Sequence, residues 1–233
     1  MFNGKMKALT FSYDDGVDQD IRLIEIFNKY GLKATFNLNS ELLGRREDTI
    51  PREGKIIKHY KVHASDVRSI YEGHEIAAHT LTHPLLPNIE DDNEIVRQVE
   101  QDRLNLSELA GYEVVGMAYP CGGQNYDDRV ADLIRSRTGI QYCRTIVSSY
   151  KYDPQTDLYR FRPTVYHHAD FDKMVEMGKQ FLEMKTDTPK LFYIWGHAFE
   201  FDIAENWEKF EEFCKMMSGH DDIFYGTNKE VLL

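Results

Sequence analysis

The chain is predicted to fold as an α/β barrel, with parallel strands inside and helices outside. Apolar runs of strand length alternate with amphipathic stretches of helix length from one end to the other, a pattern that implies parallel pairing through helical crossovers. About seven such units fit the length, enough for a closed barrel or an open doubly wound sheet. The placement of chemical groups favours the barrel. Asp14-Asp15, Tyr119-Pro120 and Gly196-His197 all fall at the C-terminal ends of expected strands. A β/α barrel gathers those ends on one face, whereas an open sheet spreads some of them apart.

The elements follow in order. Lys5 to Phe11 reads as a buried strand, followed by a helix from about Asp18 to Lys29 with Ile21, Ile24 and Phe27 among its apolar positions. Gly31 stops that helix. Lys33 to Leu38 is the next strand, and the polar stretch 40–60 then interrupts the pattern as an excursion or lid. Ser65 is placed to cap a short helix through Tyr71, and Gly73-His74-Glu75-Ile76-Ala77-Ala78 forms a strand in which His74 is structural. A long helix over 89–109 ends at Gly111. Val114–Tyr119 is a strand, 126–137 a helix and 140–146 a strand. The aromatic segment 159–166 is extended, 171–184 helical, Leu191–Trp195 a strand, 205–217 the last long helix and 223–225 a closing strand. No repeat or low-complexity linker divides the 233 residues, so a single domain over 1–233 is expected.

Composition narrows the function classes. A formal charge of −11 argues against a nucleic-acid backbone as partner. No run approaches the roughly 20 apolar residues of a membrane span. The three cysteines are widely spaced and fit no zinc ribbon or disulfide framework. With no secretory h-region at the start, a reducing cytoplasm is the expected location.

The most informative residues are His79 and His83, separated by Thr80-Leu81-Thr82. Imidazoles one helical turn apart can present nitrogens to a single metal ion. Asp14-Asp15-Gly16 supplies two carboxylates: one to complete a two-His, one-Asp ligand set, the other to take a proton from metal-activated water. Neighbours on a strand point to opposite faces, but beyond a strand end Gly16 permits a turn that brings both to one site. Taken alone, Asp-Asp-Gly is better explained by a helix-capping turn, and a lone His-x-x-x-His is weak. Together they describe a metal-assisted hydrolase.

The segments Thr10-Phe11-Ser12-Tyr13-Asp14-Asp15-Gly16, Gly73 to His83, and Leu191 to His197 resemble the successive motifs of the polysaccharide deacetylase (NodB-homology) family, carbohydrate esterase family four. The resemblance spans nearly the whole chain in the right order. It implies a distorted (β/α)7 barrel and a divalent metal, zinc first, with cobalt or nickel also accepted. By position it implies Asp15, His79 and His83 as metal ligands, Asp14 as general base and His197 as general acid. It also implies the backbone amide of Cys121, in Tyr119-Pro120-Cys121-Gly122-Gly123, as the donor to the developing oxyanion. The expected substrate is an N-acetylated sugar or related small amide.

The departures from that family are specific. Its third motif often carries a base-orienting arginine two residues before the proline, a position held here by Ala118; Arg162 is the candidate replacement. The aspartate that tethers the acid histidine has no clear counterpart; Asp153, Asp157 and Asp170 are weak stand-ins, and Glu200 is read as facing solvent. His167-His168 is read as an ordinary loop pair, and Tyr193 and Trp195 as barrel core rather than a sugar platform. These gaps leave room for an O-acetyl esterase, a cyclic-amide hydrolase, or a binding protein that kept its metal pocket without turnover.

Overall fold

The computed structural model describes residues 2–52 and 54–233. In chain order the elements are β1 (Lys7–Asp14), α1 (Gln19–Tyr30), β2 (Ala34–Leu38), β3 (Thr49–Arg52), β4 (Lys55–Lys58), α2 (Val67–Ile70), β5 (Glu75–Ala78), α3 (Asp92–Ala110), β6 (Gly116–Ala118), α4 (Asp128–Arg137), β7 (Tyr142–Arg144), β8 (Val165–Tyr166), α5 (Phe171–Glu183), β9 (Lys190–His197), α6 (Glu200–Ala204), α7 (Trp207–Met217), β10 (Ile223–Tyr225) and α8 (Asn228–Leu232). The main sheet is parallel, in the order β7-β6-β5-β2-β1-β9-β8, with β10 also pairing the start of β1. The segment from Phe161 to Tyr166 joins its two ends. Phe161 pairs with Arg144 at β7, and Val165–Tyr166 pair with β9. The result is the distorted barrel, with seven principal strands around one interior.

The strand β1 runs on to Asp14 instead of stopping at Phe11. Ser12 and Tyr13 are fully buried and paired on both sides, so nothing releases the chain there. Alternation along β1 then sorts its side chains. Phe11 and Tyr13 face the helices, where Phe11 packs on Phe27 of α1 with ring centres 4.7 Å apart. Thr10, Ser12 and Asp14 make polar contacts on the opposite face. Lower in the barrel Asn228, at the start of α8, donates to Thr10 Oγ1 at 2.8 Å and accepts from Tyr193 Oη at 2.6 Å. Glu75 accepts from Thr35 Oγ1 at 2.7 Å and Tyr142 Oη at 2.8 Å. These contacts satisfy buried polar groups that would otherwise each cost several kcal/mol, about 1–3 by mutational measures.

The helices end as their sequences direct. The α1 C-terminus closes at Gly31 in the left-handed region, α3 starts on the Asp91 side chain and closes at Gly111, and α4 starts on Asp127. Two expectations need correction. Ile21 is exposed, because Leu23, Ile24, Ile26 and Phe27 form the buried face of α1. Ser65 does not cap α2; its hydroxyl donates to Asp66 Oδ1. The last long helix is α7, inside the expected 205–217, and the short α6 that precedes it is parted from it at Glu205, whose φ of 51° is incompatible with a continuing helix. Among the described residues, no helix is long and apolar enough to cross a membrane.

Gly116 has no side chain because Tyr142, on the neighbouring strand, fills that space; an added Cβ would overlap the phenol ring and hydroxyl. Gly116→Ala is therefore expected to destabilise the fold by about 1–3 kcal/mol, the usual cost of overpacking, read as a lower urea midpoint with an unchanged slope.

Candidate metal centre and active site

Two carboxylates reach the barrel mouth because the backbone turns between them. Asp14 is the last residue of β1, in register with Asn37 on one side and His197 on the other. Asp15 then takes φ 84° and Gly16 φ 61°, both left-handed. A Cβ on Gly16 would sit 2.7 Å from Leu38 Cδ2, so glycine is required there for space as well as conformation. Asp14 is anchored by Arg144 of β7, whose guanidinium bonds both carboxylate oxygens, and by Asn37 Nδ2 at 2.8 Å. Asp14 and Arg144 are almost wholly buried.

His79 and His83 lie on the loop after β5, not on a helical turn. Thr80 and His83 both adopt positive φ, which folds the loop back and turns the two rings edge to face, 4.9 Å apart. The loop hangs on α3: His79 N–H donates to Asp102 Oδ2 at 3.0 Å, and Thr82 N–H to Gln98 Oε1 at 3.2 Å. Burial pushes the Asp102 carboxyl up to about 7, against the hydrogen bonds from Ser40 and His79. His79 Nδ1 contacts the Ala118 carbonyl at 2.8 Å, which makes Nδ1 the protonated nitrogen and leaves the Nε2 lone pair for the cleft.

Asp15, His79 and His83 each offer a ligand atom, and all three atoms lie within 4.8 Å of one another. Burial pushes the His79 imidazole down to about 4 and lowers that of His83 as well, so both rings are neutral at pH 7. For Asp15 burial acts upward, but Lys61, the His59 hydrogen bond and the histidines outweigh it and hold the carboxyl well below its usual range. A deprotonated carboxylate beside two neutral imidazoles is the donor set a divalent cation needs.

The opposite wall carries His197, at the end of β9, with Nε2 4.0 Å from Asp14 Oδ2. Its Nδ1 lies 3.1 Å from Glu200 Oε1, and its backbone N–H donates to Glu200 Oε2 at 2.9 Å. Glu200 is buried and also receives His167 Nε2 at 3.0 Å and the Tyr166 hydroxyl. Burial alone would lower the His197 pKa; Glu200, with Asp15 and Asp14, raises it to about 9. Cys121 holds φ 69°, and its N–H points to His83 Nε2 at 3.5 Å. These groups line one cleft of about 370 Å³, with Tyr119, Ile146, Tyr166 and Trp195 as its less polar walls.

Residues 2–143, more than half of the chain, match the family model described as polysaccharide deacetylase. The chain belongs to the polysaccharide deacetylase family. Three solved structures similar to this deacetylase-family chain share its fold. A putative polysaccharide deacetylase from Mycobacterium smegmatis is 18% identical, with 98% of this chain and 90% of that one covered and a TM-score of 0.65. The deacetylase PplD of Streptococcus pyogenes, solved with acetate, is also 18% identical, with 65% and 62% covered and a TM-score of 0.52. A family-four pseudoenzyme from Bacillus anthracis is 16% identical, with 100% and 67% covered and a TM-score of 0.54. No curated protein matches in sequence.

Two expectations about positioning residues are overturned. Arg162 does not approach Asp14. It is exposed, its N–H bonds Gln155 Oε1 at 3.0 Å and its guanidinium bonds Ser148 O at 3.3 Å. On that extended segment Phe161 takes the inward position, so its neighbour faces out. Arg144 sits on the carboxylate instead, and it is the register partner of Ala118, the position where the family's arginine is absent. Asp153, Asp157 and Asp170 contact Lys190, Arg160 and Tyr150 respectively, leaving Glu200 as the tether of His197. His167, in the turn directly after β8, is no ordinary solvated loop residue either. It is buried against Gly196, where any Cβ would overlap its ring. Tyr193 is core as expected. Trp195 lines the cleft, but its ring is taken up by stacking on Tyr166 at 4.2 Å and by the Arg144 guanidinium at 4.4 Å.

The signals were faint. Arg144 stands in an otherwise apolar strand, Tyr142-Cys143-Arg144, where a charge requires a buried partner. Removing only one charge of the pair should expose that dependence. Arg144→Met is expected to cost about 3–5 kcal/mol by stranding Asp14, and adding Asp14→Asn should recover a substantial part of it in denaturant unfolding.

Proposed function

We propose that this chain is a divalent-metal-dependent deacetylase acting on an N-acetylated sugar or a related small amide. The observation that carries the reading is the convergence on one cleft of three separate devices: the Asp15–His79–His83 donor set, a carboxylate pinned by arginine, and a histidine pinned by glutamate. When bound, a cation such as Zn²⁺, Co²⁺ or Ni²⁺ supplies Lewis-acid polarisation of the acyl oxygen and a water acidic enough to be deprotonated near neutral pH.

The chain's own residues do the rest. Asp14 has Oδ2 within 4.0 Å of both His79 Nε2 and His197 Nε2, and it serves as the base that takes the water's proton. Arg144 and Asn37 hold it in place. The Cys121 N–H donates to the acyl oxygen as negative charge gathers there. His83 Nε2 cannot ligate a cation and accept this N–H together, so the amide is free for that use. His197, protonated up to about pH 9, delivers its proton to the departing nitrogen. An amine leaves only after protonation, and this supports an N-acyl substrate over an O-acetyl ester. The cleft lies near the small end of the roughly 300–1,000 Å³ range of small-molecule sites, which favours a compact substrate or one residue of a longer chain.

Acetate release from N-acetylglucosamine oligomers, with a panel of acetyl esters and cyclic ureides alongside, tests the reaction. Asp14→Asn is expected to lower kcat by about 10²–10⁴-fold, and a chelator should abolish turnover until metal is restored. Activity indifferent to both treatments would refute the mechanism. Glu200→Gln removes the principal influence that raises His197 while burial still lowers it. The alkaline limb of kcat/KM, expected near pH 9 in the wild type, should therefore move to lower pH.

A further inference from the structure

The excursion over 40–60 contributes nothing to the lining of the cleft among the described residues. It builds the antiparallel hairpin β3–β4 and then runs as a strap beside the acidic loop. Val62 N–H donates to Gly16 O at 2.9 Å, Asp18 N–H to Tyr60 O at 2.8 Å, and Val17 pairs with Lys61 as an antiparallel bridge. This stitching delivers two side chains onto Asp15. His59 Nε2 lies 3.0 Å from Oδ2, while Lys61, buried, donates to the Asp15 carbonyl at 2.8 Å and stands 3.3 Å from Oδ1.

The two oxygens of Asp15 are thereby made unequal. Oδ2 is taken by His59. Oδ1 is the oxygen toward His83, 3.7 Å from its Nε2. A carboxylate can rotate to offer either oxygen, and a hydrogen bond to one of them decides which is offered. His59 is itself held, with its ring edge-on to Phe199 at 4.9 Å. The hairpin is docked on α6 and the turn after it, through Lys55 to Glu205 at 2.5 Å and through Gln19, which bonds both Lys58 O and Asp202 Oδ2 at 2.8 Å.

We propose that His59 is a positioning residue of the metal centre: by occupying Asp15 Oδ2 it presents Oδ1 to the cation, so that the strap sets metal affinity from outside the ligand set. The inference rests on Asp15, His79 and His83 being the cation ligands. It does not make His59 a ligand, because its Nε2 is committed to the oxygen on the far side of the carboxylate from His83.

Titration of Co²⁺ into metal-stripped protein, followed by visible absorption, reads affinity and ligand set together. His59→Ala is expected to weaken Co²⁺ binding by about 10- to 100-fold with the band positions unchanged. His59→Gln, which keeps an N–H donor at similar reach, should restore most of the loss. If His59→Ala does not fold, His59→Phe keeps a ring against Phe199 without the donor and gives the same reading. Wild-type affinity in the donor-less variant would overturn the proposal, and so would a changed band pattern, which would make His59 a ligand. Failure of the wild type to bind Co²⁺ would sink the metal reading itself and this inference with it; binding that is equal in wild type and variant sinks the inference alone.

Discussion

A carboxylate as buried as Asp14 is tolerable only beside an opposite charge, and the mouth of this barrel is organised around that requirement. Arg144 answers it from the far side of the interior, reaching from β7 to the end of β1. Its guanidinium also lies over the ring of Trp195, which stacks on Tyr166. One arginine thus fixes the base, one wall of the cleft and, through Tyr166, the glutamate that holds His197. Taking both charges out of water is costly, and a packed apolar pair in their place is often no less stable. The pair makes physical sense as the means of keeping a fixed anion within 4.0 Å of two imidazoles.

Much of this was legible in the order of residues. The alternation of apolar runs and amphipathic stretches placed the strands of the parallel sheet, and the glycines Gly31 and Gly111 fell where the helices stop. Asp14, Asp15, His79, His83, Cys121 and His197 are legible from the motifs of the sequence, and they line one cleft. What could not be read was how the histidine loop is bent. A spacing suited to one helical turn is met here by two left-handed residues, which bring the rings together by another path.

The residues that sequence reading missed share a cause. A motif is read along one segment, while a barrel rim is assembled across segments. Ala118 looked like a lost function, but Arg144 lies beside it across the β6–β7 pairing and reaches the carboxylate from there. Glu200 looked like a surface acid because the turn after β9 could not be foreseen. Folded back through Ala198 and Phe199, it is buried beneath the histidine three positions before it. His167, in the turn after β8, is buried against that same acid, 3.0 Å from Glu200 Oε2. In both places the chemical role stayed at its point in space while the residue filling it came from elsewhere in the chain.

Three non-glycine residues with positive φ, Asp15, His83 and Cys121, line this one cleft, and a fourth, Thr80, lies in its histidine loop. Each strains the backbone by about 1–3 kcal/mol, a burden that glycine would relieve. At Asp15 and His83 that relief would delete a proposed ligand, whereas at Cys121 only the thiol would go and the amide would remain. Selection for heat tolerance without selection for turnover would accordingly tend to erode the mouth of the barrel before its floor. A thermally hardened descendant of this chain is the form in which to look for an intact scaffold around a silent centre.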